Sequence, residues 1–249
     1  MRKDIGEIVR LVKDLGISCK LNTNGYLLQR HLEDMRRLDL LQISLDGPDE
    51  VQDQLRGAGS FRAAVDAALL AKKAAIPTHL TAVFTRHNVG RLDEVLDLAA
   101  GLGVGVCFQP MVEDPLMKEG FAKHSPRQED LIEGIRYLIA VKRSRGARGS
   151  ALRNSSSELD YFLGVAVRGK GPVECALLTA TLDPDGQLYF CRHAKAGYAK
   201  FDATSMGFRK AFSMLTIPEC DGCRCIGRVR FARLGRLDLA TIVETFRDT

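Results

Sequence analysis

Along the first 145 positions, apolar residues recur in two alternating periods. Ile5, Ile8, Val9, Val12 and Leu15 fall at three- and four-residue spacing, the mark of an amphipathic helix, and Gly16 follows as a stop. Positions 17–21 form a short run closed by Asn24-Gly25, which predicts a strand and a turn. Leu28, Leu32, Met35 and Leu38 then mark a second helix, and 40–45 a second strand that ends in Asp46-Gly47-Pro48. Phe61, Ala64, Val65, Ala68 and Leu69 carry a third helix, 79–84 a third strand, 92–98 a fourth helix and 104–108 a fourth strand. Leu131, Ile135, Leu138 and Ile139 carry a fifth helix. Strands that alternate with helices imply βαβ units around a parallel sheet, with functional loops at the strands' carboxyl ends. The expected fold class is therefore α/β.

The pattern breaks after 145. The stretch 146–172 is rich in Arg, Gly and Ser and has the composition of a linker, with a short helix expected within it from Ser157 to Val167. Beyond it, 178–182 and 187–191 flank Asp183-Pro184-Asp185-Gly186, a hairpin signature. A helix is expected over 206–215, and Pro218 introduces Cys220-Asp-Gly-Cys223-Arg-Cys225.

Composition adds little until the cysteines. The net charge of +5 is too small to argue for nucleic acid, and no apolar run approaches the ~18 residues of a membrane span. Five of the seven cysteines (Cys175, Cys191, Cys220, Cys223 and Cys225) crowd the C-terminal part. An odd, uneven set without a secretory signal fits metal binding in a reducing cytoplasm better than a disulfide framework. Cys220 and Cys223 have the gap that lets two thiolates face one metal, and Gly222 permits the tight turn between them. Cys175 and Cys191, pinned by the hairpin, are the natural second pair. Cys225 is a spare, an alternative ligand or a packed thiol. Four thiolates suit zinc and an iron–sulfur cluster equally. Cys19 and Cys107 lie inside apolar strands and read as small core residues.

Three segments resemble one family. Leu21-Asn22-Thr23-Asn24-Gly25, Gln42-Ile43-Ser44-Leu45-Asp46-Gly47 and Leu55-Arg56-Gly57-Ala58-Gly59-Ser60-Phe61 are similar, in order and placement, to the middle strands of radical S-adenosylmethionine enzymes. The Gly186 to Cys191 spacing resembles the SPASM/twitch extension of that family, closer to the twitch form with one auxiliary [4Fe-4S] cluster. The resemblance implies a partial (β/α) barrel over 1–145 that lacks its first strands. After the 146–172 linker it implies a small cysteine-rich hairpin and helix domain over 173–236 and a tail helix over 237–249. The family's Cys-x-x-x-Cys-x-x-Cys loop and Gly-Gly-Glu-Pro segment do not occur in the sequence. The opening Met1-Arg2-Lys3-Asp4 resembles the residues that come after that segment in relatives, so the chain is expected to start just past it.

The resemblance also implies roles. Ser44 would hydrogen-bond the ribose or carboxylate of S-adenosylmethionine, and Arg56 would pair with the carboxylate; surface serine and solvated arginine are the plain alternatives. Asn22 and Thr23 would face cofactor or substrate, and Met111 or Val112 would touch adenine. Asp46 is expected to be a turn former. Cys175, Cys191, Cys220, Cys223 and Cys225 would hold the auxiliary cluster. Glu113 and Asp114 are either substrate acids or a solvated turn, and His87, His124 and His193 are ordinary histidines on spacing alone. Arg224, Arg228, Arg230, Arg233 and Arg236 would neutralise a cluster, meet an acidic peptide or phosphate, or line a solvated face. A full-length enzyme of this kind generates a 5′-deoxyadenosyl radical, abstracts hydrogen from a peptide or small molecule, and draws electrons from a donor such as flavodoxin or ferredoxin. The alternative is a non-catalytic iron–sulfur or zinc module.

Overall fold

A computed structural model describes residues 3–112, 122–144, 146–171, 179–191, 199–216 and 222–247. Its centre is a four-stranded parallel sheet of β1 (Lys20–Thr23), β2 (Leu40–Ser44), β3 (Thr78–Phe84) and β4 (Gly105–Pro110). The spatial order β1-β2-β3-β4 follows the chain. Neighbours that stay in sequence order, with no reversal, belong to barrel-type winding rather than to a doubly wound sheet. Connecting helices are α1 (Ile5–Asp14), α2 (Leu32–Met35), α3 (Asp49–Arg56), α4 (Ser60–Lys73) and α5 (Leu92–Leu102). The α/β expectation holds, and four of its strands stand where the pattern put them.

Local chemistry shifts some boundaries. Gly16 adopts φ 72°, and Ile17 N–H returns to the Val12 carbonyl, so Ile17 finishes the first helix and β1 starts only at Lys20. The second expected helix splits into a 3₁₀ turn at Leu28–His31 and the short α2. Helix α3 was not evident in the pattern, because only Val51 and Gln52 of its eight residues are buried.

Over the described residues 146–171, the stretch expected to be a linker packs on the sheet domain, and the helix expected from Ser157 to Val167 is present. Helix α6 (Gln128–Arg143) leads into α7 (Ala147–Ala151) and α8 (Ser156–Arg168). Leu152 forms a bridge beside Val106 of β4, and Asn154 holds both the N–H and the carbonyl of Phe108. Ser155 caps α8 in a capping box with Glu158. Leu159, Tyr161, Phe162, Val165 and Ala166 are buried, so this helix is core and its polar, glycine-rich approach is only a tight connection.

Past it, β5 (Thr181–Leu182), β6 (Gln187–Tyr189) and β7 (Phe201–Asp202) form a small antiparallel sheet. Helices α9 (Ala203–Met206) and α10 (Phe208–Ser213) follow, and then α11 (Ile226–Gly235) and α12 (Leu239–Thr245). The hairpin was expected; the third strand was not. Among the described residues no helix is long and apolar enough to cross a membrane.

Helix α11 is fastened to the sheet domain by a buried ion pair. Arg230 donates from Nε and Nη2 to the two oxygens of Glu158, at 2.6 and 2.9 Å, and from Nη2 to the Arg153 carbonyl at 2.8 Å. Both side chains are nearly inaccessible. Loss of one partner strands a buried charge, whereas replacement of both by apolar groups does not. Glu158→Ala is therefore expected to lower the unfolding free energy by about 3–5 kcal/mol. The Glu158→Leu/Arg230→Met double variant should lose clearly less than the sum of its single variants. Urea unfolding followed by circular dichroism checks this, and additive losses would contradict it.

Candidate functional site

The two faces of the parallel sheet differ in chemistry. Leu41, Ile43, Leu80, Phe84, Val106 and Phe108 are fully buried under the helices. The opposite face carries Asn22, Gln42 and His79 in one row of register partners, and Ser44, Thr81 and Cys107 in the next. Val83 pairs with Gln109 at the carboxyl end. Alternation along each strand sends these side chains to one side, so the face opposite that apolar layer is largely polar. Gln42 Nε2 donates to Thr81 Oγ1 at 3.3 Å across it. Parallel strands buried on both faces are usually apolar on both. The polar row here departs from that pattern.

At the carboxyl end of β2, Asp46 does more than form a turn. Its buried carboxylate accepts from the backbone N–H of Val83 on β3 at 2.9 Å and from Arg56 Nε at 2.6 Å. Its own N–H donates to Gln52 Oε1 at 2.7 Å, and its carbonyl accepts from Asn88 Nδ2 at 2.5 Å. Gln52 also reaches the Ser44 carbonyl, while Asn88 also bonds the Val83 carbonyl and the Thr85 N–H. Gln52 and Asn88 are both buried. Neither was singled out in the sequence, since an isolated amide carries no periodic signal.

Arg56 ends α3, and its position is set from both sides. Gly57 and Gly59 take φ 98° and 80°, conformations that admit glycine readily. Asp53 accepts from the N–H groups of Gly59 and Phe61 and from the Ser60 hydroxyl, which closes the turn into α4. The Phe61 and Gly59 N–H groups hold the Asp53 carboxyl below the usual carboxylate range. The Arg56 side chain is one-third exposed, and its terminal nitrogens have no hydrogen-bond partner among the described residues. Nε is committed to Asp46; the outer edge of the fork is open to a carboxylate.

Other expected residues separate. Asn22 lies on the polar face, but Thr23 points to the other side and its hydroxyl accepts from Gly25 N–H, closing the turn. Met111 and Val112 follow β4 and are half-buried. Glu113, Asp114 and His193 lie outside the described residues. His87 Nε2 and His124 Nδ1 stand 3.3 Å apart, and burial, with His87, Lys123 and Arg86 nearby, holds His124 below the usual imidazole range.

Of the five C-terminal cysteines, Cys175 and Cys220 lie outside the described residues. Cys191 follows β6 by two positions, and Cys223 and Cys225 precede α11, with Cys225 at its N-cap. Cys223 N–H donates to the Tyr161 hydroxyl at 2.9 Å, which ties the thiol segment to α8. Gly222 has φ 111°, and a Cβ there would meet the Gly171 backbone at 2.8 Å, so the approach demands glycine. Among the described residues no group of three metal-binding side chains gathers at one point. Cys223 and Cys225 lie at the entry to a helix, where amide dipoles favour an anion, and thiol donors have the soft chemistry that fits a thiolate-bound centre. Cys107 is different: burial pushes its thiol up, and it packs 3.8 Å from Arg230 Nη2. Burial also raises the Cys19 thiol. Cys107 is a fully buried thiol on β4, as expected, whereas Cys19 precedes β1 and is only partly buried against the core.

The arginine run is neither a solvated face nor an anion patch throughout. Arg230 pairs with Glu158, Arg233 lies over Tyr161 and reaches Asp238, and Arg228 grips the small sheet.

Residues 1–99 match the Radical SAM superfamily. Mycofactocin maturase MftC of Mycobacterium ulcerans is 31% identical over 203 residues, covering 78% of this chain and 53% of the relative. A probable GTP 3′,8-cyclase of Sulfurisphaera tokodaii is 29% identical over 202 residues, covering 77% of this chain and 62% of the relative. The chain thus spans about half the length of the maturases it matches. The fold is shared with anSMEcpe with bound AdoMet and the Cp18Cys peptide (TM-score 0.62, 18% identity, 84% of this chain and 63% of that one). It is also shared with Streptococcus suis SuiB bound to precursor peptide SuiA (TM-score 0.61, 13% identity, 84% and 51%).

The Asp46 knot predicts an asymmetry between its two charged partners. Asp46→Ala leaves the Val83 N–H without its acceptor and should lower stability by about 2–3 kcal/mol. Arg56→Gln, at a partly exposed position, should lower it by about 1 kcal/mol or less. Paired thermal and guanidinium unfolding curves decide; equal losses would mean that the carboxylate serves the arginine alone.

Proposed function

The chain belongs to the radical S-adenosylmethionine superfamily, and from that premise we propose that it supplies the cofactor-carboxylate side and an auxiliary-cluster domain of a peptide-modifying enzyme. The observation that carries this reading is the polar inner face of the parallel sheet, which ends at Ser44 and at the open fork of Arg56. When bound, S-adenosylmethionine supplies a carbon-centred radical able to take hydrogen from an unactivated C–H bond. The chain's own residues bind and orient. Arg56 would meet the cofactor carboxylate with its terminal nitrogens while Asp46 keeps Nε, so the fork is presented in one orientation and little freedom is lost on binding. The Ser44 hydroxyl would serve the ribose or carboxylate. Asn22 and Gln42, adjacent in register, would hydrogen-bond cofactor or substrate, and Met111 or Val112 would lie against adenine. Thr23 is retained only as the residue that shapes the turn beside Asn22.

No Cys-x-x-x-Cys-x-x-Cys occurs in this sequence, so the residues present do not fit the family's catalytic cluster, and no step is assigned through it. The cysteines after position 170 fit the auxiliary [4Fe-4S] centre by donor chemistry, with Cys191, Cys223 and Cys225 joined by Cys175 and Cys220. A peptide substrate is favoured by the company the chain keeps: a maturase among its relatives and two peptide-bound structures among its fold neighbours. A small reductant protein such as flavodoxin or ferredoxin would deliver electrons.

Anaerobic purification followed by metal and sulfide analysis tests the cluster. About four iron and four sulfide per chain are expected. Zinc without sulfide would replace this reading with a structural zinc module. Incubated with S-adenosylmethionine and dithionite, the iron-reconstituted 249-residue chain should yield no 5′-deoxyadenosine above the protein-free control; production of it would overturn the assignment of the missing cluster site.

A further inference from the structure

Residues 122–127 lead into α6 and lie against the turn that follows β3. None of the six is buried, and none belongs to the apolar core. Hydrogen bonds hold this strap to the sheet, and among the described residues they all come from two neighbours, Arg86 and His87. The Arg86 N–H donates to the His124 carbonyl at 2.9 Å, its Nε to the Ser125 carbonyl at 3.2 Å and its Nη2 to the Ala122 carbonyl at 3.2 Å. His87 Nε2 and His124 Nδ1 share the remaining bond at 3.3 Å, with the ring centres 5.4 Å apart.

Both surfaces that the strap joins are fixed independently of it. On the turn, the buried Asn88 bonds the Thr85 N–H and the Val83 and Asp46 carbonyls. On α6, Ile135 and Leu138 are fully buried, and a Cβ at Gly134 would stand 3.0 Å from Val89 Cγ2. The strap is therefore free to leave the turn while the sheet and α6 stay folded. A segment with no buried apolar contact and few hydrogen bonds is where local opening concentrates.

Proton count decides whether the histidine contact holds. Two neutral imidazoles form one N–H···N bond, and with one added proton an imidazolium still donates to an imidazole. A second proton puts N–H on both facing nitrogens, so the bond is lost and two like charges meet. Lys123 in the strap and Arg86 in the turn add to that repulsion. The carboxylates on neighbouring elements are already paired: Asp130 of α6 with Arg127, Glu94 and Glu50 with Arg91, and Asp46 with Arg56. Burial first, and then His87, Lys123 and Arg86, hold His124 below the usual imidazole range. The docked strap thus binds fewer protons than the released one. Docking is at full strength above the ordinary imidazole value and weakens as pH falls from there through the lowered one.

We propose that the His87–His124 pair is a proton-operated clasp: it holds residues 122–127 across the turn at the carboxyl end of β3 while the rings carry at most one added proton, and releases them when both are charged. Release uncovers Arg86 at the end of the sheet that bears Ser44, Asp46 and Arg56. The clasp depends on neither the cofactor nor the cysteine centre.

Amide hydrogen exchange of the ¹⁵N-labelled 249-residue chain, followed by NMR in a buffer containing a metal chelator, tests this. The Arg86 N–H, bonded to His124, reports the strap; the Val83 N–H, bonded to Asp46, reports the sheet. Between about pH 7.5 and about pH 5, Arg86 protection, corrected for the intrinsic pH dependence of exchange, should fall roughly tenfold while Val83 keeps its own. The fall should coincide with the titration step of the His124 ring resonances. His124→Gln and His87→Gln, whose amides do not charge, should each give the same Arg86 protection at both pH values. Wild-type Arg86 protection that does not change, a parallel loss at Val83, or a fall that persists in both glutamine variants overturns the proposal. Should the variants fail to fold, the wild-type comparison decides alone: an Arg86 loss displaced from the His124 step overturns it.

Discussion

A buried carboxylate at the end of the second strand governs this architecture. Parallel strands finish in unpaired backbone groups, and those groups must find partners as the chain turns outward. Asp46 resolves the problem for two strands together. Its oxygens take the Val83 N–H and the Arg56 guanidinium, while Gln52 and Asn88 satisfy its own backbone. A charged group buried at this position is tolerable because each of its oxygens has a donor. The arrangement fixes the spacing of β2 and β3 at their carboxyl ends, where Ser44 and Thr81 stand side by side. It also makes the orientation of Arg56 a property of the sheet rather than of a loop.

The second structural dependence runs through α11. Its ten residues carry three arginines that act in three directions. Arg230 reaches into the sheet domain, Arg228 out to the small antiparallel sheet, and Arg233 back to Tyr161 and Asp238. Basic residues in such a run would normally be read as one solvated or anion-binding face. Here the helical period distributes them to different neighbours. The α11 segment is consequently joined to the sheet domain both by charge-assisted hydrogen bonds and by Cys223, Ile226 and Val229, which belong to the same buried apolar core.

The sheet was legible because its elements repeat. The apolar periods of β2, β3, β4, α4, α5 and α6 are those of a βαβ series, and the turn chemistry of Asn24-Gly25 and Asp46-Gly47-Pro48 closed the right strands. What escaped was held by single polar contacts. Gln52, Asn88 and Asn154 are buried amides whose partners lie up to 46 positions away, and nothing local announces them. The Arg-, Gly- and Ser-rich stretch after 145 had the composition of a linker, yet Ser155 is a helix cap and Leu159 to Ala166 supply a buried face. The helix itself was expected from Ser157 to Val167; what composition did not show was its burial against the sheet domain. Ser44 and Arg56 were singled out through resemblance; that Ser44 stands beside Thr81 is a matter of register, and that Arg56 reaches Asp46 is a contact, neither of which the sequence displays.

The same pairing relates the thiol segment to the polar face. The peptide N–H of Ile226, which joins it to Cys225, donates to Gln109 Oε1 at 3.2 Å. Gln109 stands at the carboxyl end of β4, in register with Val83. The entry to α11 therefore abuts the mouth of the sheet, not its distant edge, and Arg230 follows it down the same face to Cys107. An α-helix of this length is about 15 Å long, so its first turn and its sheet-anchoring turn share one rigid rod. A centre held by Cys223 and Cys225 would be set directly beside Gln109. At the ordinary strand spacing, Gln42 and Ser44 on β2 lie about 10 Å across the sheet from β4, and Asn22 on β1 about 15 Å.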